Sequence, residues 1–497
     1  MKNLTLENIA RVCHGTWHGD DKYRNEEVQS ITTDSRKVEP GCLFVPIVGE
    51  RVDGHKFIDK AIENGAICIV YTDEIDHKTE GICYLKVADA FKAYVTFCNF
   101  FYDHPLEKMN VIGITGTNGK TTIAWIIREL IAGFRPCGYI GTMGYYYGTE
   151  IMNSSMNLTS PKSDELFRIG KEMYDYGCRD LVLEASSEGL YTGRLEEVFF
   201  STAVFNNLTS DHIDIHGDME NYFKAKCLLF EKLKDDGKAI INIDDEYGRR
   251  LMDIDDHEHI TYGIDNKADY QAVNIILNPD HSDFDLLYKG ETYHVSTNMP
   301  AKFNIYNLLS VIAVMKENGF DLAEIIPLLN DVRLTPGRCQ LIKAGQDFNV
   351  VVDFAFTPNS FAKVFDFAES ITEAGKKIIA VFGGSGDRDH LRRPGTAKIA
   401  DKRADRVILT YDDPSSEDMM SILVELKSYF ERIEPSIILD RIEAINEAVK
   451  ECETGDTLLL LGKGSDRFFL CKEGRVPYIS DEAAVKQAIE AKLQQNS

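Results

Sequence analysis

The segment Thr115-Gly116-Thr117-Asn118-Gly119-Lys120-Thr121-Thr122 has the residue types that a phosphate chain requires. Glycines let backbone N–H groups turn inward, Lys120 can reach a terminal phosphate, and the Thr121 hydroxyl is placed to ligate Mg²⁺. The strict G-x-x-x-x-G-K-[ST] spacing is not met, because Ile114 stands five positions before Gly119. The context compensates. An apolar strand, 109–114, precedes the loop, and a helix over 123–134 follows it with its positive N-terminus facing the phosphates. A phosphate loop alone says only that a nucleotide binds.

The elements that must position this loop recur along the chain. Strand-length apolar runs at 43–48, 66–71, 109–114, 181–183, 201–205, 349–353, 377–382, 406–410 and 457–461 alternate with segments of helical period, such as 57–64 closed by Gly65. Continuous apolar strands between helices predict parallel sheets covered on both faces. Breaks near Pro105 and near Pro336-Gly337 divide the chain into three α/β domains, 1–105, 106–332 and 333–497. A length of 497 residues agrees with that number, at roughly 150 residues per domain.

Composition removes whole classes of function. Lys and Arg number 55 against 80 Asp and Glu, a net charge of −25, so neither a nucleic-acid backbone nor an anionic membrane surface is an expected partner. The 11 cysteines are scattered without a C-x-x-C pair, which argues against a zinc site and a disulfide framework. No signal-like N-terminus and no run of about 18 apolar residues occurs, so the expected location is the cytoplasm. No obligate protein partner is implied.

Further segments narrow the reading. Leu183-Glu184-Ala185-Ser186-Ser187-Glu188-Gly189 closes a strand, and Asn207-Leu208-Thr209-Ser210-Asp211-His212 follows another. His216-Gly217-Asp218-Met219 and Lys224-Ala225-Lys226 come next, the lysines on a helix. Together with the phosphate loop, in this order, these segments resemble the Mur ligases over essentially the whole chain. The resemblance implies a UDP-binding N-terminal α/β domain, a central P-loop ATPase-like domain with a parallel sheet, and a Rossmann-like C-terminal domain. It also implies the activity, ATP-dependent addition of the third amino acid to UDP-MurNAc-L-Ala-D-Glu through an acyl phosphate. ATP and Mg²⁺ are then the cofactors, and a UDP-MurNAc-dipeptide and a free amino acid the substrates.

Residue by residue, the resemblance gives Gly116, Thr117, Asn118, Gly119, Lys120, Thr121, Thr122, Asn304, Asn307 and Arg338 to ATP. It gives Thr121, Glu184, His212 and a carbamylated Lys226 to metal, and Lys120, Lys226 and Arg388 to catalysis. Mg²⁺ prefers oxygen, so His212 taken alone reads equally well as a structural loop histidine. Lys226 taken alone reads as a solvated helix lysine. Thr33, Ser35, Glu50, Arg51 and Val52 resemble the residues around the UDP portion. Asn157, Thr159, Ser160, Ser186, Thr192 and Arg194 resemble the muramoyl-peptide contacts. Taken alone, the two N-terminal loops are polar turns. Three positions depart from the family pattern: Leu158 interrupts Asn-Thr-Thr, Glu188 replaces a frequent histidine, and Thr192 a common glutamine. A fourth departure, Phe356 in Asp353-Phe354-Ala355-Phe356, removes a histidine beside the nucleotide.

The amino acid is the open question. Arg388 is implied to pair with its carboxylate, as a guanidinium fork would, and Asp412, Asp413, Pro414, Ser415, Gly462 and Asp466 surround it. Diaminopimelate-adding members carry Asp-Asn-Pro-Arg where this chain has Asp412-Asp413-Pro414-Ser415. The missing arginine and the added acid oppose a distal carboxylate, so lysine or ornithine is favoured, with diaminopimelate as the alternative. A folylpolyglutamate synthetase-like acceptor and a catalytically weak nucleotide-binding paralogue are the other readings. Residues 32–54 oppose the first, and intact Lys120, Glu184, His212, Lys226 and Arg388 oppose the second.

Overall fold

Runs made wholly of apolar or small residues become interior strands. In Ile378–Phe382 and Thr457–Leu461 every residue is buried, which only a sheet covered on both faces allows. The computed structural model describes residues 4–19, 21–48, 53–72, 78–148, 152, 158–388 and 392–495. Three main sheets organise them. The first runs in the order Thr16–His18, Cys83–Lys86, Ala66–Tyr71, Cys42–Phe44, Ser30–Thr32, parallel except for its first pair.

The second sheet has ten strands. Its parallel centre includes Asn110–Thr115, Asp180–Glu184 and Cys137–Gly141. The expectation of a parallel sheet is corrected at both edges. Gly144–Tyr146 pairs antiparallel at one edge, and Tyr270–Leu277, Ser282–Tyr288 and Glu291–Thr297 form an antiparallel meander at the other. The signal for that meander was present: strict alternation over Ser282–Tyr288 buries every second residue, and Lys289-Gly290 supplies two positive φ values, 49° and 84°, for a tight turn.

The third sheet runs Gln340–Leu341, Asn349–Asp353, Thr457–Leu461, Ile378–Phe382, Arg406–Leu409, Ser436–Ile437, antiparallel only at its first pair. Period-two alternation sends Val351, Ala380, Phe382, Leu409 and Leu461 into one core with the helices Pro358–Ile371 and Met419–Lys427. Val350, Val352, Val381, Ile408 and Leu460 enter the other, against Arg441–Glu451 and Asp481–Gln495. Truncating one such residue, Phe382 to alanine, would cost about 3–5 kcal/mol. The carboxyl ends of the parallel strands open into Gly383-Gly384-Ser385, Asp412-Asp413 and Gly462-Lys463-Gly464. That end of an α/β sheet is where ligands bind.

By packing, the described chain forms two compact units. One comprises residues 4–115, 131–203 and 225–238, and the other 116–130, 204–224 and 239–495. The first holds the N-terminal sheet, with Phe44, Ile58, Ile69 and Tyr84 in its core. The second holds the phosphate loop and the whole third sheet. Among the described residues, no helix is long and apolar enough to cross a membrane.

Candidate functional site

The phosphate loop turns directly into the helix Lys120–Ala132. The first N–H groups of a helix lack intrahelical partners, so this turn presents donors and partial positive charge together. Gly119 sits at φ +88°, and a Cβ there would lie 2.4 Å from Asn206 Nδ2 and 2.5 Å from Asn307 Oδ1, so nothing larger fits. Lys120 Nζ donates to the carbonyl oxygens of Gly116 (2.8 Å) and Thr117 (3.1 Å), within its own loop. Thr121 and Thr122 are buried in the first helical turn.

Asparagines brace the loop. Asn207 accepts from Asn118 N–H through Oδ1 at 2.9 Å, and Asn206 Nδ2 donates to Asn118 O at 2.9 Å. Asn206 Nδ2 also donates to Asn307 Oδ1, and Asn307 Nδ2 to Asn304 Oδ1. Both Asn304 and Asn307 are buried on the helix Lys302–Glu317. Asn118 Nδ2 reaches Asn359 Oδ1 at 3.1 Å, at the start of the helix Pro358–Ile371, which Thr357 and Ser360 close with a capping box. Asn206 and Asn359 escaped the sequence reading. The polar pair Asn206-Asn207 directly after a buried strand was the available signal for the first.

A cavity of about 240 Å³ opens on this network. Asn118, Gly119 and Thr122 line it, with Phe303, Asn304, Tyr306 and Asn307, and with Arg338, Phe354, Phe356 and Lys363. Thus the ATP residues expected from sequence that line it come from three separate stretches of chain. Asp353 accepts the N–H groups of Cys339 and Ala355 at 2.6 Å. Burial pushes its carboxyl up, while Arg338 works in the opposite direction. Arg338 lies over the Phe354 ring (4.7 Å) and Arg392 over the Phe356 ring (4.7 Å). Arg392 also donates to buried Asp211 at 2.9 and 2.6 Å. The phenylalanine at 356 therefore has a role: its ring face supports a guanidinium.

Around Glu184 the first unit builds a rigid polar cluster. The wholly buried carboxylate accepts from Tyr139 OH (2.5 Å), Thr142 N–H (3.1 Å) and Thr142 Oγ1 (3.0 Å). Thr142 Oγ1 lies 3.3 Å from Thr159 Oγ1, and Ser160 Oγ donates to Glu184 O while touching Ser186 Oγ. Thr159, Ser160, Ser186 and Glu184 are thus brought together. Arg194 Nη2 donates to Glu188 Oε1 at 3.0 Å, so the acid that replaces the family histidine is its ion-pair partner. Thr192, exposed, donates to Glu188 O. Thr33 flanks Ser35, which is buried and opens a short helix capped by Asp34. The Arg36 hydrogen bond holds the Asp34 carboxyl at about 2. Glu50, Arg51, Val52 and Asn157 lie outside the described residues.

His212 takes a left-handed conformation, φ +53°, with Nε2 3.4 Å from Asp211. Lys226 lies on the helix Met219–Cys227 and is only 1% exposed. Its bare reading as a solvated lysine is corrected: a buried lysine requires a partner or a change of charge.

At the third sheet, Arg388 is exposed on the Gly383–Arg388 loop, facing solvent from the carboxyl end of the strands. Asp413 does not stand as a bare acid. Lys463, fully buried, donates to Asp413 Oδ1 (2.8 Å) and to Asp466 Oδ2 (3.2 Å). Burial works against the Lys463 ammonium, but Asp413, Asp466 and Asp412 outweigh it and raise its pKa. The acid at position 413 is thus already paired with an ammonium from within the chain. Ser415 sits at φ +52° with its N–H on Leu470 O. Gly462 is also left-handed, at φ +103°, and a Cβ there would lie 2.5 Å from Asp412 Oδ2.

Asp412 is buried, and burial, with Asp413 beside it, pushes its pKa up to about 6. An unfolded aspartate ionises near pH 4 (about 3.9). As pH rises between about 4 and 6, the unfolded state therefore sheds a proton that the folded state keeps, and stability falls. Asp412→Asn is expected to raise the melting temperature by a few degrees at pH 7.5, roughly the scale of 1–2 kcal/mol. The gain should vanish below about pH 4. Calorimetry at both pH values measures it, and an equal gain at both would contradict the assignment.

A phosphate loop beside a cavity of about 240 Å³, with a second site open at the strand ends of the third sheet, suits an ATP-using enzyme, and the chain's relatives make it an ATP-dependent peptide-forming ligase. The chain belongs to the Mur ligase family. It matches "Mur ligase family, catalytic domain" over 27–101, "Mur ligase middle domain" over 114–315 and "Mur ligase, glutamate ligase domain" over 337–464. It is 37% identical to UDP-N-acetylmuramoyl-L-alanyl-D-glutamate–2,6-diaminopimelate ligase 1 of Clostridium acetobutylicum, over 90% of this chain and 94% of that one. The corresponding ligase of Fusobacterium nucleatum is 36% identical, over 95% and 96%. A solved UDP-N-acetylmuramoyl-L-alanyl-D-glutamate–2,6-diaminopimelate ligase superposes with TM-score 0.68 at 28% identity, covering 99% of this chain and 100% of that one. Folylpolyglutamate synthase of Mycobacterium tuberculosis shares the fold at 15% identity and TM-score 0.62, but covers 74% of this chain and 91% of its own.

Proposed function

We propose that this chain joins a diamino acid, lysine before diaminopimelate, to the glutamate carboxylate of UDP-MurNAc-L-Ala-D-Glu at the expense of ATP. The observation that supports it most is the shared cavity of about 240 Å³, which the phosphate loop, the Asn304–Asn307 helix face and Arg338 line together. In this reading residues 1–105 hold the UDP portion, 106–332 bind ATP, and 333–497 receive the amino acid.

The chemistry requires two anions to meet. A carboxylate oxygen attacks the γ-phosphorus and ADP leaves; the amine then attacks the acyl carbon, phosphate leaves, and the amine proton passes to solvent. Lys120 and the helix N-terminus carry the transferring charge. Glu184 and a carbamylated Lys226 would each offer carboxylate-type oxygens to Mg²⁺ and Thr121 a hydroxyl, with His212 as the nitrogen exception. Held by these residues, Mg²⁺ would supply charge neutralisation at the phosphates. Thr33, Ser35, Glu50, Arg51 and Val52 hold the UDP end, and Asn157, Thr159, Ser160, Ser186, Thr192 and Arg194 the muramoyl peptide.

The lysine preference is supported by the local charge. Asp413 and Asp466 share one ammonium, Lys463, and Asp412 feels both Lys463 and Arg441, while Arg441 also holds Asp481 in a buried two-point pair at 2.7 Å. The surplus is negative and suits a distal ammonium. The second reading, diaminopimelate, is favoured by the names of the relatives and by the partial neutralisation of Asp413. Phosphate release with a panel of amino acids separates them. Lysine or ornithine is expected to exceed meso-diaminopimelate in kcat/KM by about tenfold or more, the scale of an unpaired charge in a specificity pocket. The reverse order would overturn the lysine reading.

A further inference from the structure

The two loops that meet at the amino-acid end are not independent. Gly386 N–H donates to Asp413 O at 2.8 Å, and Asp387 N–H to Glu417 Oε1 at 2.7 Å. Ser416 returns two bonds, N–H and Oγ, to the Asp387 carboxylate at 3.1 and 2.7 Å. The contact is tight enough that a Cβ on Gly386 would lie 1.8 Å from Pro414 O. Asp387 itself is held at φ +51°, a conformation that a non-glycine residue keeps only when its surroundings impose it.

One guanidinium ties this arrangement together. Arg393, 5% exposed, donates through Nη2 to Ser385 O (3.1 Å) and to both Glu417 oxygens (2.8 Å each), and through Nη1 to Glu425 Oε2 (2.6 Å). Glu417 therefore bonds the loop that carries Arg388 from two directions, through Asp387 N–H and through Arg393. Neither residue was singled out from sequence.

We propose that Arg393 and Glu417 are positioning residues for amino-acid selection. They fix Arg388 relative to Asp412–Ser415, and with it the distance between the groups that hold the two ends of the incoming amino acid. A planar fork engages four acceptor oxygens of three residues at set angles; a lysine ammonium in its place is a point charge and cannot. The inference rests on the reading that these two loops receive the amino acid.

The test is steady-state kinetics on the full chain with lysine as the varied amino acid. Arg393→Lys keeps the charge and loses the fork, and is expected to raise the lysine KM by about tenfold or more, since small misplacements at a site cost that much. The KM for ATP and the melting temperature should stay near wild type. Glu417→Gln, which retains one acceptor oxygen, should do the same more weakly, and serves if Arg393→Lys does not fold. A merely structural role would lower the melting temperature and the active fraction with an unchanged lysine KM, and that result would overturn the inference. Arg388→Ala separates the two levels of the argument. A raised lysine KM in Arg388→Ala with none in Arg393→Lys and Glu417→Gln refutes the positioning role alone. An unchanged KM in an active Arg388→Ala enzyme refutes the amino-acid reading beneath it.

Discussion

Lys120→Ala is expected to abolish turnover and leave the fold intact. The lysine sits where the loop enters its helix, and its Nζ donates to the backbone oxygens of Gly116 and Thr117 in that loop. Its loss removes little packing. It does remove a cation from the place where negative charge gathers during phosphoryl transfer, an effect of about 10²–10³-fold or more in kcat. The asparagines that brace Asn118 and Gly119 are independent of the lysine, so the loop should keep its course. Phosphate release and far-UV circular dichroism measure the two halves of the expectation. A well-folded mutant with unchanged phosphate release would remove the phosphate loop from the mechanism.

Lys226 carries the second large effect. Lys226 is a helix lysine buried to 1% exposure, where an ammonium is costly to desolvate, and in the proposed mechanism carbamylation would convert it into an anion able to serve a metal. Lys226→Met, close in volume, is expected to be inactive. Acetate, formate or propionate should restore part of the activity by supplying the missing carboxylate. Thermal denaturation distinguishes lost chemistry from lost folding. Full activity without added acid would show that Lys226 acts only by packing.

The parallel strands of the third sheet were legible because their residues are apolar without interruption. Asn349–Asp353 and Thr457–Leu461 end where the sequence pattern ends them. The antiparallel meander over 270–297 was not read: only its middle strand, Ser282–Tyr288, alternates strictly, while Tyr270–Leu277 and Glu291–Thr297 break the pattern. The phosphate loop was legible from local chemistry alone, since glycine, lysine and threonine act within eight consecutive residues. The charge balance around Asp413 was not. Lys463 lies 50 positions away, and it is the parallel pairing of Ile378–Phe382 with both Thr457–Leu461 and Arg406–Leu409 that brings the two loops alongside. The same holds for Arg392 and Asp211, 181 positions apart, and for the use that Phe356 finds under a guanidinium. Sequence spacing reveals what one turn of chain can do; pairings made by topology have no local signature.

The acyl-phosphate route is tested most directly by isotope transfer. UDP-MurNAc-L-Ala-D-Glu labelled with ¹⁸O in the reacting carboxylate is incubated with ATP, Mg²⁺ and lysine, and the released phosphate is analysed by mass spectrometry. If the carboxylate oxygen attacks the γ-phosphorus and leaves when the amine attacks the carbon, each phosphate formed carries one oxygen from the carboxylate. Label in phosphate, in step with amide formation, is the result expected. Phosphate released without label while amide forms would contradict the mechanism.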